Sequence, residues 1–168
     1  MDKHNIGQAS IFGYSMGGYV AMFIAKHFPE RLRKVITLAS KFYWDETIAA
    51  KEIKMLDAAT IELKVPAFAQ QLSKRHAPTD WKFLLQKTAE MMLNLGKNNT
   101  LKTAHYSNIT IPSLLMLGDR DKMVTLDETI AVYKNLPNAQ MSVLPNTAHP
   151  LEQVNIDLLG YMIKLFLK

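Results

Sequence analysis

Cysteine is missing from all 168 residues, which excludes disulfides and thiolate metal sites and fits a cytoplasmic protein. The opening Met1-Asp2-Lys3-His4 has no apolar stretch behind it, so no secretory leader is read. No apolar run reaches the roughly 18 residues a membrane-spanning helix needs, because Lys164 interrupts the best candidate. His and carboxylates form no cluster at ligand spacing, so neither a metal nor an organic cofactor is expected. Internal repeats and low-complexity tracts are also lacking. With 48% hydrophobic and 21% charged residues, the chain reads as one soluble domain spanning residues 1–168.

The net charge of +5 comes mostly from Lys26, Arg31, Arg33, Lys34 and Lys41. These residues cluster around Pro29, where a helix gives way to a strand, and they are not interleaved with aromatics. A nucleic-acid surface would need that interleaving, so we read a solvated turn whose cations favour a helix C-terminus.

The apolar period changes along the chain and marks its elements. Ala9–Phe12 is a short β-prone run ending at Gly13. Met16–Phe28 is almost wholly apolar and free of proline, as in a buried helix, and Pro29 stops it. Val35–Ala39 is a β-branched strand. Residues 42–105 contain no convincing strand. Trp81, Leu84, Leu85, Thr88, Met91, Met92 and Leu95 recur there at helical spacing, with Thr79 or Asp80 as cap and Gly96 as terminator. Ile53, Met55, Leu56, Ile61 and Leu63 suggest one or two further helices, and Pro66 and Pro78 break the region. The Met and Trp stripe reads as packing surface. Ser113–Leu117 and Gln140–Leu144 are further strands, and Leu126–Leu136 and a C-terminal segment bearing Val154 to Phe166 are helices. Strands alternating with helices imply a parallel sheet covered on both faces.

Chemistry concentrates at the ends of those strands. In Gly13-Tyr14-Ser15-Met16-Gly17-Gly18 a serine stands between a strand and a helix, flanked at two residues on each side by glycine. Such a tight turn lifts the hydroxyl above the sheet, and glycine is expected because a Cβ would collide there. A serine needs a base. Of the five histidines, His4, His27, His76 and His105 occupy solvated or packing positions. His149 follows the last strand, in a loop where parallel sheets place active-site groups. A carboxylate must orient that histidine, and Asp119 and Asp121 in Gly118-Asp119-Arg120-Asp121 both qualify chemically.

These motifs resemble the α/β-hydrolase superfamily, in its cap-bearing branch of serine esterases, lipases and carbon–carbon-bond hydrolases. The order Ser15…Asp121…His149 is the order of that fold. Ala25-Lys26-His27-Phe28-Pro29-Glu30-Arg31 with Val35–Leu38 is similar to the family's helix-to-strand passage. Ile111-Pro112 with Gly118-Asp119-Arg120-Asp121 and Val124 is similar to its acid loop. The resemblance implies that Asp121 is the triad acid and that the Met16 N–H donates to the oxyanion. It further implies that 42–105 is a helical cap over about four parallel strands, a partial α/β-hydrolase fold. Tyr14, Phe42, Tyr43 and Trp44 are then expected to line the substrate pocket, with plain packing as the other reading of the last three. The sequence departs from the family in having Ala148 before His149, where glycine is common.

The resemblance carries two further expectations. The family's early strands would precede residue 15, so the edge of the Ile11 strand should pair with a second copy or a partner strand, or the chain is an incomplete gene product. The second oxyanion donor comes from a loop after an early strand, and lacking it costs roughly 100- to 1,000-fold in turnover. The leading expectation is therefore a serine hydrolase for a small-molecule acyl substrate such as an ester, with no nucleic-acid or membrane partner. The alternatives are acyl transfer and a non-catalytic binding or assembly module.

Overall fold

The computed structural model describes residues 1–168. Along the chain, β1 (Ala9–Tyr14), α1 (Met16–His27) and β2 (Leu32–Leu38) are followed by α2 (Glu46–Glu52), α3 (Ala58–Lys64), α4 (Pro66–His76) and α5 (Trp81–Lys97). Then come α6 (Thr103–Tyr106), β3 (Ser113–Gly118), α7 (Leu126–Asn135), β4 (Ala139–Leu144) and α8 (Ile156–Leu167). Two compact units result, one from Met1–Tyr43 with Leu101–Lys168 and the other from Trp44–Thr100. No helix is long and apolar enough to cross a membrane.

The first unit is a sheet of four parallel strands in the order β1-β2-β3-β4. Its registers align the C-terminal ends: Tyr14 faces Leu38, Leu38 faces Met116, and Gly118 faces Leu144. Every residue of β3 is buried, as expected of a strand covered on both faces. One core joins Ile36, Leu38, Leu114, Met116, Leu117, Val124 and Leu144 to Leu159 and Phe166 of α8. Elsewhere in this unit α1 buries Ala21, Met22 and Ala25, the small residues letting it lie close to the strands. The cationic turn is tied down locally. Arg31 pairs with Asp2 and donates to the Ile6 and Gly7 carbonyls. Lys34 Nζ donates to the Phe166 carbonyl at 2.6 Å, where a cation complements the C-terminal end of α8.

The second unit is wholly helical. Asp45, Asp57 and Asp80 cap α2, α3 and α5, accepting from the backbone N–H groups of Ile48, Thr60 and Lys82 at 2.7, 2.7 and 2.9 Å. Pro66 marks the break between α3 and α4 and stands at the first position of α4, where its missing N–H costs nothing. Trp81 packs with Ile61, Ala69 and Leu72 as the unit's small core. Gly96 does not terminate α5, which runs on to Lys97. A Cβ at Gly96 would lie 2.7 Å from that of Ala49 and 2.9 Å from the Asp45 carbonyl, so close helix approach, not a C-cap, is what requires glycine here.

Tyr106 is 2% exposed and sets its ring edge-on to Phe42, with centroids 6.0 Å apart. Its hydroxyl has no hydrogen-bond partner in the protein. Burial, reinforced by Tyr19 and Glu128, holds its phenol well above the usual value. The native state therefore keeps a proton that the unfolded chain releases near pH 10. The stability this contributes is whole below about pH 10 and is lost as the pH rises further. Tyr106→Phe keeps the ring and removes the orphaned oxygen. Its stability at neutral pH should be unchanged or raised by about 1 kcal/mol, with a shallower alkaline decline. Urea denaturation at neutral and alkaline pH measures both, and a loss of about 2 kcal/mol at neutral pH would show that the hydroxyl has a partner.

Candidate active site

Parallel strands deliver their C-terminal loops to one edge, and three of the four loops there carry the residues singled out above. Ser15 leaves β1 as the N-cap of α1, with φ 51° and ψ −119°. That backbone is strained, and the Ser15 N–H bond to the Leu38 carbonyl at 2.8 Å helps to hold it. Ala39, leaving β2, and Asn146, leaving β4, also have positive φ, 53° and 48°. A non-glycine residue pays roughly 1–2 kcal/mol for such a conformation, and strain of this kind collects at functional edges.

The glycines of the elbow divide by space. A Cβ on Gly13 would collide with the Gly17 carbonyl, and one on Gly18 with the Ser40 side chain. A Cβ on Gly17 would meet nothing within 4 Å. The expectation that both glycines flanking the serine are required by crowding therefore holds for Gly13 and passes from Gly17 to Gly18. The reason is that α1 packs against the end of β2 through Gly18, while Gly17 lies on a roomier side of the helix.

A hydrogen-bonded line runs through the three loops. Ser15 Oγ lies 3.2 Å from His149 Nε2, and His149 Nδ1 lies 2.8 Å from Asp121 Oδ2. The Asp121 side chain is fully buried and that of His149 is 12% exposed. Asp121 Oδ1 accepts from the N–H groups of Met123 and Val124 at 2.8 and 2.9 Å. Three donors on one buried carboxylate occupy both of its oxygens and fix its orientation. An ionised Asp121 holds the imidazole proton on Nδ1, leaving Nε2 to accept from the serine hydroxyl. Met16, as the first residue of α1, places its N–H at the helix's positive end, where developing negative charge is favoured.

Asp119 does a different task from Asp121. Its Oδ1 accepts from the Thr147 N–H at 3.1 Å, and the Arg120 N–H donates to the Thr147 carbonyl at 3.0 Å. The two bonds staple the loop after β3 to the loop after β4. Its ion pair with Arg120, at 3.7 Å, is largely exposed and contributes little.

The four residues expected to line a pocket separate. Phe42 is 3% exposed and packs on Tyr106, so it belongs to the core; burial of so large an apolar ring outweighs a surface role. Tyr43 is 57% exposed. The N–H groups of Phe42 and Tyr43 both donate to Glu128 Oε1, at 2.6 and 2.8 Å, which fixes the chain beyond β2. Trp44 begins the helical unit. Tyr14 gives its hydroxyl to the His149 carbonyl at 2.8 Å. Sequence reasoning missed Glu128, and only its place one turn into a Thr125-capped helix hinted that its carboxylate would be held near a loop. Of the other histidines, His105 Nδ1 lies 3.1 Å from Lys26 Nζ and the His27 ring lies tilted against Phe23. No group of three or more His, Asp or Glu side chains could hold a metal ion.

Comparison with known proteins agrees with this architecture. The chain is 26% identical over 190 residues to a 2-hydroxy-6-oxononadienedioate/2-hydroxy-6-oxononatrienedioate hydrolase of Burkholderia vietnamiensis, covering 100% of this chain and 65% of that protein. It is 27% identical over 168 residues to the enzyme of the same name from Comamonas testosteroni, covering 89% and 59%. The chain thus spans less than two thirds of the length of these relatives. Among solved structures, a meta-cleavage product hydrolase from Pseudomonas fluorescens superposes with a TM-score of 0.74 at 16% identity, over 99% of this chain and 67% of that one. A thermophilic esterase from Thermogutta terrifontis gives 0.66 at 21% identity, over 96% and 65%. These two likenesses concern the fold alone. The family model described as serine aminopeptidase, S33 (Hydrolase_4) matches residues 1–153. The chain belongs to that family of α/β hydrolases.

Proposed function

We propose that the chain carries the nucleophile, base and acid of a serine hydrolase acting on a small acyl compound, an ester or a related carbonyl substrate. The observation that carries the reading is the unbroken line from Ser15 Oγ through His149 to the buried Asp121 carboxylate. Ser15 Oγ attacks the substrate carbonyl while its proton passes to His149 Nε2, and the imidazolium is stabilised by Asp121. The tetrahedral oxyanion is held by the Met16 N–H and the N-terminal end of α1. Collapse expels the leaving group, which takes the proton from His149, and Ser15 remains acylated. Water, deprotonated by His149, then attacks the acyl carbon and releases the acid. The names of the curated relatives support a carbonyl substrate that is cleaved hydrolytically.

The test is turnover of p-nitrophenyl acetate, with labelling by a fluorophosphonate probe, in wild type and Ser15→Ala. Wild type is expected to label at Ser15 and to release nitrophenol, and the variant to fall to the uncatalysed background. Equal rates in the two proteins would remove the proposal. A chain that binds substrate-like esters but never labels would favour a binding module derived from a hydrolase.

A further inference from the structure

Position 14 immediately precedes the nucleophile, and a side chain there projects from the end of β1 beside the reacting groups. Its tyrosine is half-buried and makes two contacts with one residue far along the chain. The hydroxyl donates to the His149 carbonyl at 2.8 Å. The ring lies against the imidazole with centroids 5.5 Å apart, tilted by 43°. The geometry points to Tyr14 as a positioning residue, one that holds the His149 backbone so that its imidazole stays between Ser15 and Asp121.

The loop around His149 needs such a hold. Asn146 takes a left-handed backbone and the segment carries no regular hydrogen bonding until the 3-10 turn at Leu151–Gln153. On the side of β3 it is stapled by Asp119 through the Thr147 N–H. Tyr14 supplies a second point, from β1 and two residues farther along the loop. Two points from different strands fix the direction of the segment between them as well as its position, which one point cannot do. The imidazole itself is bound at both nitrogens, so a backbone drift of a fraction of an ångström must lengthen one bond or the other. Positional losses of that size are felt strongly in catalysis.

The phenol suits this task. Burial, with Glu152 and Asp121 adding to it and the Leu151 backbone opposing, raises it above its ordinary value. It therefore remains a donor across the working range of a His-based catalyst. Its one proton is committed to a carbonyl, so the hydroxyl is not a free donor for a substrate.

This inference rests on the triad reading, and its test keeps the two apart. Nitrogen-15-labelled wild type, Tyr14→Phe and Asp121→Asn are compared by proton NMR and by esterase kinetics. Wild type should show a far-downfield Nδ1 proton that disappears in Asp121→Asn, which assigns it to His149. In Tyr14→Phe, which keeps the ring, that proton should broaden or exchange with water about tenfold faster while the sheet amides are unchanged. The loss of one positioning hydrogen bond should lower kcat about tenfold with little change in KM. A Tyr14→Phe spectrum in which the proton keeps its linewidth and exchange rate overturns the inference, whatever the activity. A wild type with neither the downfield proton nor Ser15 labelling overturns the triad itself, a result visible before Tyr14 is altered.

Discussion

Asp121→Asn should lower esterase turnover about 10,000-fold while leaving the fold intact. The size of the loss follows from where the two carboxylate oxygens point. Oδ1 is committed to the N–H groups of Met123 and Val124, and only an oxygen can accept both. An asparagine at this position must therefore place its carbonyl there and turn its amide NH2 toward His149. Nδ1 then becomes the acceptor, the imidazole proton moves to Nε2, and the nitrogen facing Ser15 Oγ can no longer take the serine proton. Asp119→Asn separates the two aspartates, since the side-chain carbonyl it retains still accepts from Thr147 N–H. Its loss is expected to stay below about tenfold. Steady-state kinetics and fluorophosphonate labelling rates on both variants decide the matter. An Asp121→Asn enzyme within tenfold of wild type would mean that this carboxylate does not orient the base.

Gly118→Ala carries the largest expected effect on the fold. Gly118 ends β3, is buried, and leaves no room for a methyl group: a Cβ would run into the Thr147 carbonyl, with Thr147 C at 2.7 Å and Thr147 Cβ at 2.9 Å. The obstacle is backbone of the neighbouring loop, so no side-chain rotation relieves it. Either β3 or the His149 loop must move, and overpacking of this kind costs about 3 kcal/mol. The Arg120–Thr147 and Asp119–Thr147 bonds across the same gap should be lost with it. Gly160→Ala is the matched comparison, because Gly160 lies within α8 with nothing within 4 Å of an added Cβ. Helix propensity predicts a gain there of up to about 1 kcal/mol. Chemical denaturation of the two variants should move in opposite directions. Equal stabilities would show that the loops after β3 and β4 do not depend on their close approach.

The two substitutions together test how far this edge depends on close approach of its loops. Its loops touch through backbone groups, left-handed residues and a buried carboxylate, and each of these tolerates little displacement. Tyr14 at the end of β1, and Gly118 and Asp119 at the end of β3, bear on the loop that carries His149 from two strands. Their effects are therefore expected to be additive only where they do not share the Thr147 segment.

The alternation of short β-branched runs with apolar helices was legible from residue order, because a parallel sheet buried on both faces demands it. So was the succession of Ser15, an aspartate at 119 or 121, and His149, since each follows a strand and such loops gather at one edge whatever their separation along the chain, while the resemblance alone pointed to Asp121. Distances along a sequence say nothing, however, about which atoms approach across strands. The choice between Asp119 and Asp121 as the partner of His149 became geometric only when one oxygen lay 2.8 Å from Nδ1 and the other side chain turned to Thr147. The crowding that requires Gly18 and Gly96, the enclosure of Phe42, and the Tyr14 bond to a residue 135 positions away were likewise set by packing. Local order dictates which conformations a segment prefers, and only the assembled sheet decides what stands opposite it.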